Sequence, residues 1–159
     1  MQTLNYELPT ADFRAIYLPL RTDGLLLPDV TVVEILKVEE IYPLLKSPDW
    51  LIGNIQWRGE ELPLISFESL NGASTVDPKQ VSRIAIINGT ADHSHLPYYA
   101  VVINNTPSLH DIGEGDIELC EGRPRGRAET MSVSMSDLMA GVPNIEWVAQ
   151  HLLAYILHG

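Results

Sequence analysis

The chain has 159 residues, with 10 Lys and Arg against 21 Asp and Glu, a formal net charge of -11, 45% hydrophobic residues and a single cysteine. That length suits one domain burying about 70% of the surface its unfolded chain exposes, the acidic balance argues against nucleic acid or anionic lipid as partners, and the lone Cys120 excludes an intrachain disulfide and a thiolate zinc cage. No apolar run approaches the roughly 18–20 residues of a membrane span, and residues 1–7 lack the basic start and apolar centre of an export signal, so we expect a cytoplasmic protein without direct membrane insertion.

The first half reads as short strands. Residues 13–18 mix β-branched and aromatic side chains, Thr22-Asp23-Gly24 supplies a tight turn, and Leu25-Leu26-Leu27 is expected to return antiparallel beside the first strand. Residues 30–36 open on four β-branched side chains and predict a strand buried on most of its surface, with Glu34 its only charge. Residues 47–53 predict a one-turn helix, capped by Ser47 or Asp49 and ended by Gly53. Strand residues 54–57 then meet a turn at Arg58-Gly59-Glu60, and the strand over 62–67 tolerates Pro63 only near its start or at an edge.

Gly, Ser, Asn, Asp and Pro cluster in 71–78, the best linker candidate, which divides the chain near its middle. Beyond it, 83–87 and 99–103 read as a second hairpin of buried strands. Residues 122–127 hold no apolar side chain and predict an exposed loop. Asn144 caps a closing helix whose Ile145, Val148, Leu152 and Ile156 form one apolar stripe, with Gly159 just past its end.

Several chemical motifs compete with plainer readings. His93 and His95 with Asp92 offer imidazole and carboxylate donors in one loop, but a metal site needs three or four ligands held by regular structure, so a solvated turn is favoured. His110-Asp111 sets an imidazole beside a carboxylate, yet no Gly-x-Ser-x-Gly elbow supplies a nucleophile and a surface turn is expected. Cys120 stands next to Glu121, which disfavours a thiolate and leaves a packing role. Gly113-Glu114-Gly115-Asp116 lacks the lysine of a phosphate loop and its carboxylates repel phosphate. Arg123, Arg125 and Arg127 read as a solvated or salt-bridged loop before a protein contact or an RNA grip. The helix with Trp147 and Tyr155 lacks the basic polar face of a membrane-surface helix and is expected to pack on a sheet. Glu34 and Arg58 remain open between two readings: charges that set the register of a docking surface, or an internal salt bridge.

Residues 25–36 and 47–67 carry a longer pattern. Val32-Val33-Glu34-Ile35, then Pro48-Asp49-Trp50-Leu51-Ile52-Gly53, then Ile55-Gln56-Trp57-Arg58-Gly59 followed by Leu62-Pro63-Leu64-Ile65 stand in an order and spacing that closely resembles the CheW family of chemotaxis coupling proteins. The resemblance implies a mainly β fold: two SH3-like five-stranded β-barrel subdomains that share one hydrophobic core, with a C-terminal helix. It makes 1–159 a single CheW-like domain whose subdomains divide near 71–82. It further implies no enzyme activity, no cofactor and no metal. The implied role is an adaptor between the regulatory domain of a chemotaxis histidine kinase and the cytoplasmic tip of a methyl-accepting chemoreceptor, recruited to receptor arrays at the membrane. Val32, Glu34 and Ile35 match the strand implicated in partner contact, Arg58 matches the arginine implicated in signalling contacts, and Gly53 and Gly59 match structural turn glycines.

The second half departs from the family pattern. Asn104-Asn105 stands where an acidic residue and a small residue are usual, and the Gly-hydrophobic-Leu-Asp strand is missing from 142–147. These departures resemble an accessory coupling protein of a twitching-motility system. The rivals are a small metal-dependent hydrolase using His93, His95 and Asp92, and an interaction domain with a non-chemotactic partner.

Overall fold

The computed structural model describes residues 12–73, 75–89 and 96–158. Strands β1 (Phe13–Pro19) and β2 (Gly24–Pro28) form the expected antiparallel hairpin, with Ile16 opposite Leu27 and Leu18 opposite Leu25. Both faces of β1 are covered: Ile16 and Leu18 enter one core while Ala15 and Tyr17 enter another, so apolar residues run without alternation. A 3-10 turn at Asp29–Thr31 hands the chain to a second sheet, built from β3 (Val32–Lys37), β4 (Leu51–Trp57), β5 (Glu60–Ile65), β6 (Arg83–Asn88) and β7 (Tyr98–Ile103). Between β5 and β6 lies the single-turn helix α1 (Phe67–Leu70), whose N-terminus is capped by Ser66 accepting the Ser69 N–H. The chain then returns to the first sheet as β8 (Ser108–Ile112), β9 (Glu118–Leu119), β10 (Glu129–Met135) and β11 (Leu138–Pro143) and closes with helix α2 (Ile145–His158).

The first sheet has six strands in the order β8-β1-β2-β11-β10-β9, and the second has five in the order β3-β6-β7-β5-β4. Each is antiparallel except for one parallel pair, β11 with β2 and β5 with β7. Among the described residues the end strands of neither sheet pair with each other, so the architecture is two mixed sheets plus a terminal helix. Three apolar clusters result, where a single shared core was expected. Ile16, Leu18, Leu25 and Leu27 meet Leu51, Ile65, Ile87, Tyr99 and Ile103 between the sheets, and Val148, Ala149 and Leu152 of α2 complete that shared cluster. Ile55, Trp57, Leu64, Ile84 and Ile86 fill the other face of the second sheet; Tyr17, Leu26, Ile112 and Val133 fill that of the first.

The stretch 71–82 is not where the sheets divide. Strands before it pair with strands after it, β3 with β6 and β5 with β7, and the chain changes sheet instead at the turn after β2 and between β7 and β8. A polar linker marks a surface crossing, here from α1 to β6, and carries no information about which strands join across it.

Local expectations fare unevenly. Residues 47–50 form a turn closed by the Leu51 N–H donating to the Pro48 carbonyl at 3.0 Å, with the Ser47 hydroxyl donating to the Leu51 carbonyl, in place of the expected helix. Burial of Leu51, Ile52, Ile55 and Trp57 draws the following residues into β4, with Gly53 inside the strand and not at a turn. There a Cβ would lie 2.5 Å from the Tyr42 carbonyl oxygen, so Gly53 serves close backbone approach. Val30, expected in a buried strand, sits in the 3-10 turn and is 77% exposed; β3 itself is only half-buried because it ends its sheet. Pro63 is tolerated because β7 pairs with β5 only from Leu64 onward. In the α2 stripe Ile145 is half-buried and Val148 and Leu152 are buried, while Ile156 lies beyond the core and is exposed. Among the described residues no helix is long and apolar enough to cross a membrane.

Candidate functional site

Strands β3 and β4 are the two ends of the second sheet, and side chains bridge the gap that no ladder closes. The β4–β5 hairpin turns on Arg58 and Gly59 at φ 49° and 78°, with Trp57 opposite Glu60. Positive φ at both central residues matches the right-handed twist of the flanking strands, and glycine carries it there without strain. The turn aims Trp57 and Arg58 back across the gap toward β3. The buried Trp57 indole N–H donates to Glu34 Oε1 at 3.3 Å, and the Arg58 guanidinium lies 3.5 Å from Glu34 Oε2. That guanidinium also stands 4.5 Å from the centroid of the Trp57 ring, which packs edge-on against Tyr98 at 5.0 Å. Both Glu34 oxygens are engaged, yet the Arg58 side chain is 64% exposed and that of Glu34 31%.

These groups border a cleft of about 470 Å³ whose walls include Leu36, Glu39, Glu40, Tyr42 and Ile55. Tyr42 holds its outer wall through a two-way backbone bridge to Asn54 at 2.8 Å. The Tyr42 hydroxyl donates to Glu40 Oε2 at 3.1 Å, and that bond raises its phenol above the ordinary range. The cleft thus combines an apolar floor, an aromatic wall and an acidic rim, with Lys37 and Arg58 as cations along it.

The CheW-like domain model matches residues 16–146. The chain belongs to this family. Its backbone is also similar to the crystal structure of the scaffolding protein TtCheW from Thermoanaerobacter tengcongensis, with a TM-score of 0.62 and 19% identity over 83% of this chain and 88% of that one. At that identity the likeness concerns the fold. Among curated proteins none matches the chain.

Of the residues singled out for this CheW-like domain, the structure brings Glu34 and Arg58 together and sets Val32 and Ile35 apart. A bulge between Val32 and Glu34 shifts the register against β6, so Val32 and Ile35 pack on the core between the sheets while Val33 and Leu36 pack on the other side. Gly59 is in the expected turn. Trp57 joins the site without standing out in the sequence analysis; its signal is a tryptophan next to the arginine of a two-residue turn, where hairpin register fixes the direction of both.

The remaining candidates separate. His93, His95 and Asp92 lie outside the described residues, and among the described residues no group of three His, Cys, Asp or Glu side chains is placed to hold a metal ion. His110 and Asp111 sit in β8, not in a turn, and neighbouring strand positions face opposite ways: His110 Nε2 meets the Ser108 hydroxyl at 2.8 Å while Asp111 accepts from Arg14 Nε at 3.2 Å. Asp116 accepts the Gly113 N–H at 2.7 Å, closing a simple turn. Cys120 is half-buried.

In the arginine loop Arg123 takes the salt-bridged reading, and it is the expected exposure that the structure corrects there. Arg125 is exposed, but the Arg123 side chain is only 13% exposed and lies between Asp23, Glu129 and Ser132. Its Nη1 donates to Glu129 Oε1 at 2.9 Å and to the Ser132 hydroxyl at 2.8 Å, and Nη2 donates to Glu129 Oε2 at 2.8 Å. Nε and Nη2 also donate to Asp23, joining the β1–β2 turn to β10. The Glu129 bonds, ahead of the opposing effect of burial, hold Arg123 above the ordinary arginine range. Arg127 Nε donates to the Leu70 carbonyl, so the loop is pinned at two points.

Proposed function

We propose that this chain, one CheW-like domain over 1–159, is a non-catalytic adaptor coupling a methyl-accepting chemoreceptor to a chemotaxis-type histidine kinase, with the two sheets serving as the two SH3-like barrels of that fold. The family match over 16–146 carries this reading. The docking surface is the β3 end of the second sheet. A partner covering that end strand meets Glu34, Arg58 and the cleft on one side and the half-exposed flanks of Val32 and Ile35 on the other. An exposed ion pair contributes only about 0–1 kcal/mol to folding, so its place at a rim fits partner register better than stability. The adaptor is recruited from the cytoplasm to receptor arrays, and its divergent second half suits an accessory coupling protein of a twitching-motility system.

Calorimetric titration with the regulatory domain of the organism's chemotaxis histidine kinase tests the reading. Saturable binding by the native chain that Glu34→Lys abolishes is the expected result. A folded native chain that binds no such kinase domain contradicts it.

A further inference from the structure

A second cleft, of about 470 Å³, lies along the β4–β5 hairpin, where the end of α2 meets β5. Leu44, Leu62, Pro63, Pro97 and Ile156 form an apolar lining, and among the described residues Glu60 and Glu61 are its only charged members. The side chain of Asn54 donates to Glu61 Oε1 at 2.7 Å, which holds that carboxylate in place at the rim. Tyr155 fixes the helix end by donating from its hydroxyl to the Lys46 carbonyl and packing edge-on against Trp50 at 6.3 Å. The helix end and the segment it grips nevertheless leave large apolar side chains in water: Leu45 wholly, Ile156 at 43% and Leu157 at 56%.

We propose that this cleft is a second docking site, whose occupant is a cationic apolar segment of a partner protein. The exposed leucines and isoleucine supply apolar area that a soluble domain otherwise covers. The two glutamates select the sign of the partner: a lining whose described residues hold two carboxylates and no cation, on a chain of net charge -11, attracts lysines and arginines and repels acidic segments. A second copy of this chain is the poorer occupant, because a two-fold contact sets the same acidic rim against itself. The site shares no lining residue with the cleft proposed above for kinase docking.

The test uses the full chain, isotope-labelled, titrated with a synthetic amphipathic peptide of leucine and lysine, and with the same peptide carrying glutamine for lysine. The expected result is saturable binding of the lysine peptide, with amide shifts concentrated at residues 60–62 and 154–157 and much weaker binding of the glutamine peptide. Glu60→Lys with Glu61→Lys, and separately Ile156→Asp, weaken binding at least about tenfold, or 1.4 kcal/mol. Glu114→Lys with Glu118→Lys, exposed positions in the β8–β9 turn and on β9, make the same charge change and retain binding. Equal loss in that control, shifts centred elsewhere, absence of saturation, or equal binding of the glutamine peptide overturns the proposal. So does a dimer in sedimentation that Ile156→Asp dissolves, since it assigns the face to a second copy.

Discussion

Arg123 and Arg58 each meet carboxylates, one in each sheet, and the two environments assign them opposite work. Arg123 is 13% exposed, forms a two-pronged contact with a nearly buried Glu129 and spends its remaining donors on Asp23 and Ser132. Arg58 is 64% exposed and has one carboxylate at 3.5 Å and one ring. Withdrawing a partner from the buried cluster strands an uncompensated charge, whereas withdrawing one from the rim returns the other to water. Burial therefore turns the first arginine into a clasp between the β1–β2 turn and β10, and exposure leaves the second available to a partner.

The comparison is broken most readily at Arg123. Arg123→Ala is expected to destabilise by about 3–5 kcal/mol, because Glu129 stays buried without its cation, and denaturant unfolding measures it. Gly141→Ala presses on the same cluster from β11: its Cβ would lie 1.7 Å from Glu129 Oε2. Displacing that carboxylate costs about 1–3 kcal/mol, read in the same unfolding experiment, and a neutral effect means that Glu129 is free to move. Arg58→Ala is expected to cost under about 1 kcal/mol, a difference that fades as salt screens the pair; a loss as large as that of Arg123→Ala erases the distinction.

The smallest effect is in alkali. Burial first, and the nearby Asp23 second, raise the Tyr17 phenol above its ordinary value of 10.0, while Arg123 pulls it down. A phenol raised in the folded state contributes stability that is fully present below pH 10.0 and declines as pH rises from there through the folded value. Tyr17→Phe therefore unfolds less steeply above that pH than the native chain, and an unchanged alkaline profile contradicts this placement of Tyr17.

The same contrast explains what the sequence reveals. The β1–β2 hairpin, β6 with β7, and the cap and buried stripe of α2 are legible because apolar side chains and turn residues dictate them locally. Strands β8 to β11 are not: β8 and β9 are largely exposed, and β10 buries Glu129 and Ser132. That burial depends on Arg123, which arrives from a loop without apolar residues, where the sequence reads as solvated or salt-bridged and does not name the partners. Glu34 and Arg58 stand out as lone charges beside apolar strands, and the resemblance to the CheW family is what suggests partner contact for them. Trp57 does not, since its direction follows from hairpin register, and Val32 and Ile35 are turned from Glu34 by a bulge that alternation alone does not register.

The most direct test exchanges the rim pair, Glu34→Lys with Arg58→Glu in one chain, and measures binding to the kinase regulatory domain by calorimetry beside each single variant. The exchange keeps an ion pair across the gap and reverses the charges presented to a partner. Our account predicts native-like thermal stability with binding still weakened at least about tenfold. Full recovery of binding in the exchanged chain would contradict it, leaving Glu34 and Arg58 as an internal salt bridge.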